Sequence, residues 1–127
     1  MRPDIHLTER DRALLSELVS RGAPRSPEVL DTLEAELLRA TIVGEADARD
    51  RVRLGTRVTW DTGAGGERRT ARLVLPSDVE GPGDLSVLTP VGCALIGLRR
   101  GDAFVWADGA RQWRLRVVDV AHGPPAP

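Results

Sequence analysis

The chain has no lysine and no tyrosine, a single cysteine and a single phenylalanine, and no long apolar run. Each absence removes a class of function. Without lysine there is no Schiff-base chemistry and no P-loop. One thiol, Cys93, makes neither an internal disulfide nor a cysteine-based zinc cluster. Nothing approaches the roughly 20 consecutive apolar residues that a bilayer span needs. The N-terminal stretch MRPDIHLTERDR lacks the apolar segment of a secretory signal, so the cytoplasm is the expected compartment.

What is present suits one ordinary domain, or a small domain with a short appendage: 127 residues, 41% of them hydrophobic. The formal net charge is −1, which argues against a protein built mainly to grip nucleic acid. Residues 1–51 hold eight arginines and eleven acids, and residues 52–127 hold ten arginines and eight acids. That asymmetry names no partner.

The pattern changes near residue 50. In the first part, Thr8 is placed to cap a helix, with Asp11 three residues on as an imperfect capping box. Leu14, Leu15, Leu18 and Val19 share one helical face, and Gly22-Ala23-Pro24 stops the helix. Ser26-Pro27 starts a second helix, with Val29, Leu30, Leu33, Leu37 and Leu38 as its apolar stripe, ending at about Ile42. The two make a short antiparallel hairpin over residues 1–44, reaching about 20–25 Å at 1.5 Å per residue. A pair this short leans on the rest of the chain or on a partner. Residues 45–53 are polar and read as a linker.

From residue 54 to 121 short β-type runs dominate, namely 56–60, 70–75, 85–88, 103–107 and 113–120, separated by Gly/Asp-rich turns. In the last run Trp113, Leu115, Val117 and Val120 define an inner face and Arg114 and Arg116 an outer one, with a slip near Val118 as at a bulge. A short helix, PVGCALIG, interrupts the strands. The expectation is an α+β protein: a helical hairpin, then a small twisted antiparallel sheet with one short helix. Residues 122–127 read as a frayed tail.

The segment Leu88 to Asp102, LTPVGCALIGLRRGD, has a reading from folding alone. Pro90 suits the first turn of a helix, Gly92 and Ala94 keep that helix slim, and Leu95 and Ile96 enter the core. Gly97 can end the helix in a left-handed conformation, and Gly101-Asp102 turns into the next strand. The same segment resembles the signature of the C-terminal domain of the Rnk/GreA–GreB family, with Pro90, Gly92, Ala94, Leu95, Ile96, Gly97, Gly101 and Asp102 in register. The likeness covers about residues 52–120, and the helical hairpin stands where that family carries its own.

The resemblance implies an FKBP-like sheet domain and RNA polymerase as partner. By resemblance, the loop Leu88, Thr89, Pro90, Val91 and Gly92 docks on a coiled coil at the rim of the polymerase's secondary channel. Gre cleavage factors can carry an acidic residue two positions before this proline; Leu88 stands there, which looks more like Rnk. Gre factors also hold paired acids at the tip of a long coiled coil, where they help to bind a Mg²⁺ ion that activates water. Here the tip reads SRGAPRSPE and has no carboxylate between Ser20 and Pro27. Glu28 and Asp31 complement the dipole of the second helix. The resemblance therefore implies a polymerase-binding regulator that competes with Gre factors and does not cut RNA. Arg21 and Arg25 at the tip have two readings, contact with polymerase or RNA and a solvated turn. The Rnk name refers to nucleoside diphosphate kinase, but no residue here points to that enzyme.

Several residues carry bland readings. Cys93 is placed as a small core residue. His6 and His122 have no ligand spacing, and neither a metal nor a cofactor is expected. Trp60, Trp106 and Trp113 stand on predicted strands as core bulk or, alternatively, as a stacking platform for RNA. Arg68-Arg69 and Arg99-Arg100 lie beside turns. The competing functions are a cleavage factor, an FKBP-like prolyl isomerase and a generic interaction module. The oligomeric state is not legible.

Overall fold

The computed structural model describes residues 3–62, 67–108 and 111–121, with the side chains at 104, 106–108 and 111–113 outside that description. His122, the tail and the side chains of Trp106 and Trp113 therefore lie outside it.

The N-terminal half is a hairpin of α1 (Glu9–Ser20) and α2 (Pro27–Arg39). Both helices start on side-chain caps. Thr8 accepts from the Asp11 amide at 3.2 Å and Ser26 from the Val29 amide at 3.4 Å, satisfying amides that a helix start leaves open. Asp11 completes no capping box; its buried carboxylate reaches out of the helix to the Leu54 amide at 3.1 Å. Gly22, at φ +69°, turns the chain after α1.

Two features of this half depart from expectation. The second helix ends at Arg39, because Thr41, Ile42 and Val43 are β-branched and favour a strand. They form β2 (Thr41–Val43), which pairs in parallel with β1 (His6–Thr8) at the base of the hairpin. The inward face of α2 keeps Val29, Leu33 and, half-buried, Leu37 of the expected stripe, but takes Glu36 in place of Leu38. Val29, Leu33 and Glu36 are buried, whereas Leu38 is 89% exposed. Glu36 is held by Arg39 through an ion pair of 2.8 Å.

The C-terminal half is a five-stranded sheet of β3 (Arg57–Asp61), β4 (Arg68–Val74), β5 (Asp84–Ser86), β6 (Ala103–Asp108) and β7 (Arg111–Ala121). Its order is β5-β4-β3-β7-β6. It is not wholly antiparallel, since β5 lies parallel to β4; the chain from 75 to 83 carries a 3₁₀ turn at Pro76–Asp78 and brings β5 back in the same direction. The slip expected near Val118 is a bulge: Thr59 faces Asp119 and Trp60 faces Val117, leaving Val118 extra. Leu115, Val117 and Val120 are buried, and Arg114 and Arg116 are exposed.

The stretch read as a linker is packed. Val52 is fully buried, its amide donates to Leu98 O at 2.7 Å, and its carbonyl accepts from the Gly97 amide at 2.9 Å. The buried Arg51 donates from Nη1 to the carbonyl oxygens of Asp4 and Gly97, each at 3.3 Å. Apolar side chains of β1, both hairpin helices, Val52 and the sheet belong to one continuous cluster, so the short hairpin leans on the sheet half as its length requires. Among the described residues no helix is long and apolar enough to cross a membrane.

Candidate functional site

The segment singled out in the sequence lies between β5 and α3 (Pro90–Leu95). Ser86, the last residue of β5, organises it. Its carbonyl accepts from the Thr89 amide at 3.1 Å and from the Thr89 hydroxyl at 2.7 Å, and its Oγ accepts from the Leu88 amide at 3.1 Å. Thr89 is also the N-cap of α3 and accepts from the Gly92 amide at 3.0 Å. One hydroxyl thus donates to the strand end and accepts from the helix start. Pro90 follows in the first turn, where it has no amide to leave unsatisfied.

The result is a fixed, uncharged knob. Pro90 is exposed; Leu88, Thr89 and Val91 are half-buried, and Leu88 and Val91 rest on the core. Gly92, the last residue of the loop, differs from Pro90. It is buried, and a Cβ there would run into the Ser86 carbonyl oxygen and come within 2.8 Å of Thr89 Oγ1. Its part is to let the helix start close to the strand end. Cys93 is buried beneath the loop, with its thiol donating to the Pro90 carbonyl at 3.3 Å. No residue from Leu85 to Leu98 carries a formal charge at neutral pH. Such a surface can be recognised by shape and apolar contact, and it offers no acid, base or metal ligand set.

The far end of the helix is equally constrained. Gly97 has φ +82°, and a Cβ there would lie 2.7 Å from Ile5 Cβ. Its carbonyl accepts from the His6 amide at 3.1 Å, which ties β1 to the end of α3. Leu95 and Ile96 are buried.

At the hairpin turn Arg21 and Arg25 are exposed, on elements separate from the proline loop. The first carboxylate after the turn, Glu28, accepts from Ser26 Oγ at 2.7 Å, and that bond lowers its pKa. Glu9 is lowered likewise by its hydrogen bond from Arg12. Asp11 goes the other way, raised by burial. Among the described residues no cluster of three His, Cys, Asp or Glu is placed to hold a metal ion. Trp60 is buried. Sequence reading missed Ser86 and Arg51. The Ser-x-x-Thr-Pro spacing held a signal for the first; nothing local marked the second.

Residues 46–122 match the family model for the C-terminal domain of the transcription elongation factors GreA and GreB, and residues 3–43 match that for the Rnk N-terminus. The chain belongs to the Rnk/GreA–GreB family of transcription factors. The regulator of nucleoside diphosphate kinase of Escherichia coli K12 is 34% identical over 98% of this chain and 94% of its own length. The transcription inhibitor protein Gfh1 of Thermus aquaticus is 34% identical over 74% of this chain and 60% of its own. Among solved structures, a GreA/GreB elongation factor from Nitrosomonas europaea superposes with a TM-score of 0.73 at 32% identity, covering 94% of this chain and 98% of that one.

Proposed function

We propose that this chain is a cytoplasmic, non-enzymatic regulator that binds bacterial RNA polymerase, seating the loop Leu88–Gly92 on the coiled coil at the rim of the secondary channel. Residues 54–121 form the docking unit, FKBP-like in cast, and residues 1–44 form a short arm in the channel mouth. The observation that carries the reading is the knob itself: an exposed Pro90 locked by the Ser86–Thr89–Gly92 hydrogen bonds, uncharged and resting on the core. A rigid apolar projection of this kind loses little conformational freedom on binding. Relatives named as transcription elongation or inhibitor factors support polymerase as the partner.

Occupancy of the site excludes Gre-type factors, and transcript cleavage is absent. Between Ser20 and Pro27 the turn offers Arg21 and Arg25 and no carboxylate to hold Mg²⁺. Helices of 12 and 13 residues extend roughly 20 Å, a short reach into a deep channel.

Capture of core polymerase by the tagged protein tests the docking. Wild type is expected to retain polymerase and Pro90→Asp to lose it, since aspartate is tolerated in a first helical turn while it charges the knob. A wild type that captures none sinks the proposal. In stalled elongation complexes the protein is expected to slow Gre-stimulated cleavage and to cut no RNA alone; cleavage by the purified protein would refute the reading of the tip.

A further inference from the structure

The face of the five-stranded sheet turned away from the core carries a charge pattern that docking through Pro90 does not use. Strand register brings Arg57, Arg68, Arg72, Arg114 and Arg116 to that one face. All are exposed or half-exposed, in a chain whose overall charge is −1. Two are neutralised at close range: Arg72 lies 3.4 Å from Asp84 and Arg116 lies 2.7 Å from Asp61. Arg57, Arg68 and Arg114 make no ion pair among the described residues, and Asp119 is the one further acid that strand register brings to this side. Arg57 also stands directly opposite Arg72 across the β3–β4 pair. Asp84 offsets the charge of Arg72, and Asp61 stands opposite Arg68, so the excess positive charge of the face rests chiefly on Arg57 and Arg114.

We propose that this face binds the phosphate backbone of single-stranded nucleic acid. Neighbouring strands are about 4.8 Å apart, and alternate residues along a strand about 6.7 Å apart. The guanidinium groups therefore form a shallow lattice on the scale of successive phosphates in an extended strand. Arginine suits that ligand, because its planar fork pairs two donors with phosphate oxygens. An acidic protein surface fits less well. Protein interfaces centre on buried apolar or aromatic anchors, and the large apolar residue exposed here, Val105, sits on the edge strand β6. The outward side chains that are described include no aromatic ring for bases to stack on, so contact is with the backbone and is indifferent to sequence.

The test is fluorescence anisotropy of a labelled oligouridylate of about 20 nucleotides with the full chain. With three phosphates neutralised, affinity is expected to fall about twentyfold between 50 and 200 mM salt. A triple variant, Arg57→Gln, Arg68→Gln and Arg114→Gln, is expected to bind at least tenfold more weakly while still capturing core polymerase. Polymerase capture separates failure here from failure of the docking proposal. Arg57→Gln alone is expected to melt within a degree or two of wild type, because Arg57 is exposed and makes no ion pair among the described residues. No saturable binding at 50 mM salt, undiminished binding by the triple variant, or tighter binding of polyglutamate than of the oligonucleotide would each overturn the assignment.

Discussion

The Asp11 carboxylate accepts a hydrogen bond from the Leu54 amide at 3.1 Å, joining the first helix to the entrance of the sheet across 43 residues of sequence. Burial raises its pKa most strongly; the Leu54 amide, Arg10 and Arg53 pull it down, and Glu45 pushes it up. A carboxyl with a higher pKa folded than unfolded adds stability in acid, and that contribution is lost as pH rises through the raised value. At neutral pH the buried charge is thus a net cost. Asp11→Asn keeps an acceptor for Leu54 and removes the charge. It is expected to be more stable than wild type near pH 7, with the advantage shrinking as pH falls into the ordinary carboxylate range. Denaturant unfolding at several pH values measures this; a constant difference across them would contradict it.

Asp11→Ala is expected to go the other way, because the half-buried Leu54 amide loses its acceptor. The cost is about 1–3 kcal/mol. Slower amide exchange at Leu54 in the variant than in wild type would contradict the assignment of that bond.

Helix α2 carries a contrasting pair. Leu33 is fully buried and Leu38 is 89% exposed. Leu33→Ala is expected to cost about 2–5 kcal/mol through the cavity it leaves. Leu38→Ala is expected to stay within about 0.5 kcal/mol. Thermal melts of the two variants decide it, and equal losses would mean that the helix sits in another rotation.

Gly92→Ala and Gly97→Ala are both expected to destabilise, for different reasons. At Gly92 the new methyl group meets the Ser86 carbonyl, and backbone must move. At Gly97 it meets Ile5 from a left-handed backbone, a conformation costing roughly 1–2 kcal/mol for an L side chain before any clash. Gly92→Ala is expected to weaken polymerase capture beyond its loss of stability, since it deforms the loop; Gly97→Ala is not. Capture measured well below both melting temperatures separates them.

Arg51→Lys is expected to fail as a conservative change. One guanidinium nitrogen reaches the carbonyls of both Asp4 and Gly97, and a lysine ammonium lacks that planar geometry. A loss of about 1–3 kcal/mol, with faster amide exchange at His6 and Gly97, is the expected signature. Unchanged exchange at both amides would show that Arg51 does not hold this joint.

Much of the architecture was legible because local chemistry and packing agree. Thr8 and Ser26 cap the helices, Gly22 turns the hairpin, and the broken alternation at Val118 is a bulge. What escaped depended on distant contacts. Strands of three residues such as β1 and β2 carry too little alternation to be read, and their pairing is set by Gly97 and Ile5, far apart in the chain. The polar composition of residues 45–53 suggested a tether, yet Arg51 is buried and donates from Nη1 to two backbone carbonyls. Leu38 continues the apolar stripe of α2 in the sequence, yet a buried Glu36 held by Arg39 takes the inward position. In the loop, Thr89-Pro90 announced a helix start. The reason for Gly92, a strand-end carbonyl beneath it, became visible only once β5 was placed.

The parallel pairing of β1 with β2 closes the ring of chain that contains both helices and nothing else of the fold. The helices pack into the core as far as Leu18 and Val29, and no residue of the turn between those two is buried. Whole helical turns can be added at the Arg21–Arg25 end, beyond the buried Leu18 and Val29, without disturbing His6, Thr41 or the sheet. Arm length and tip chemistry are therefore interchangeable parts on a constant base, and a lengthened arm grafted at the turn should leave the clasp and the proline loop as they are.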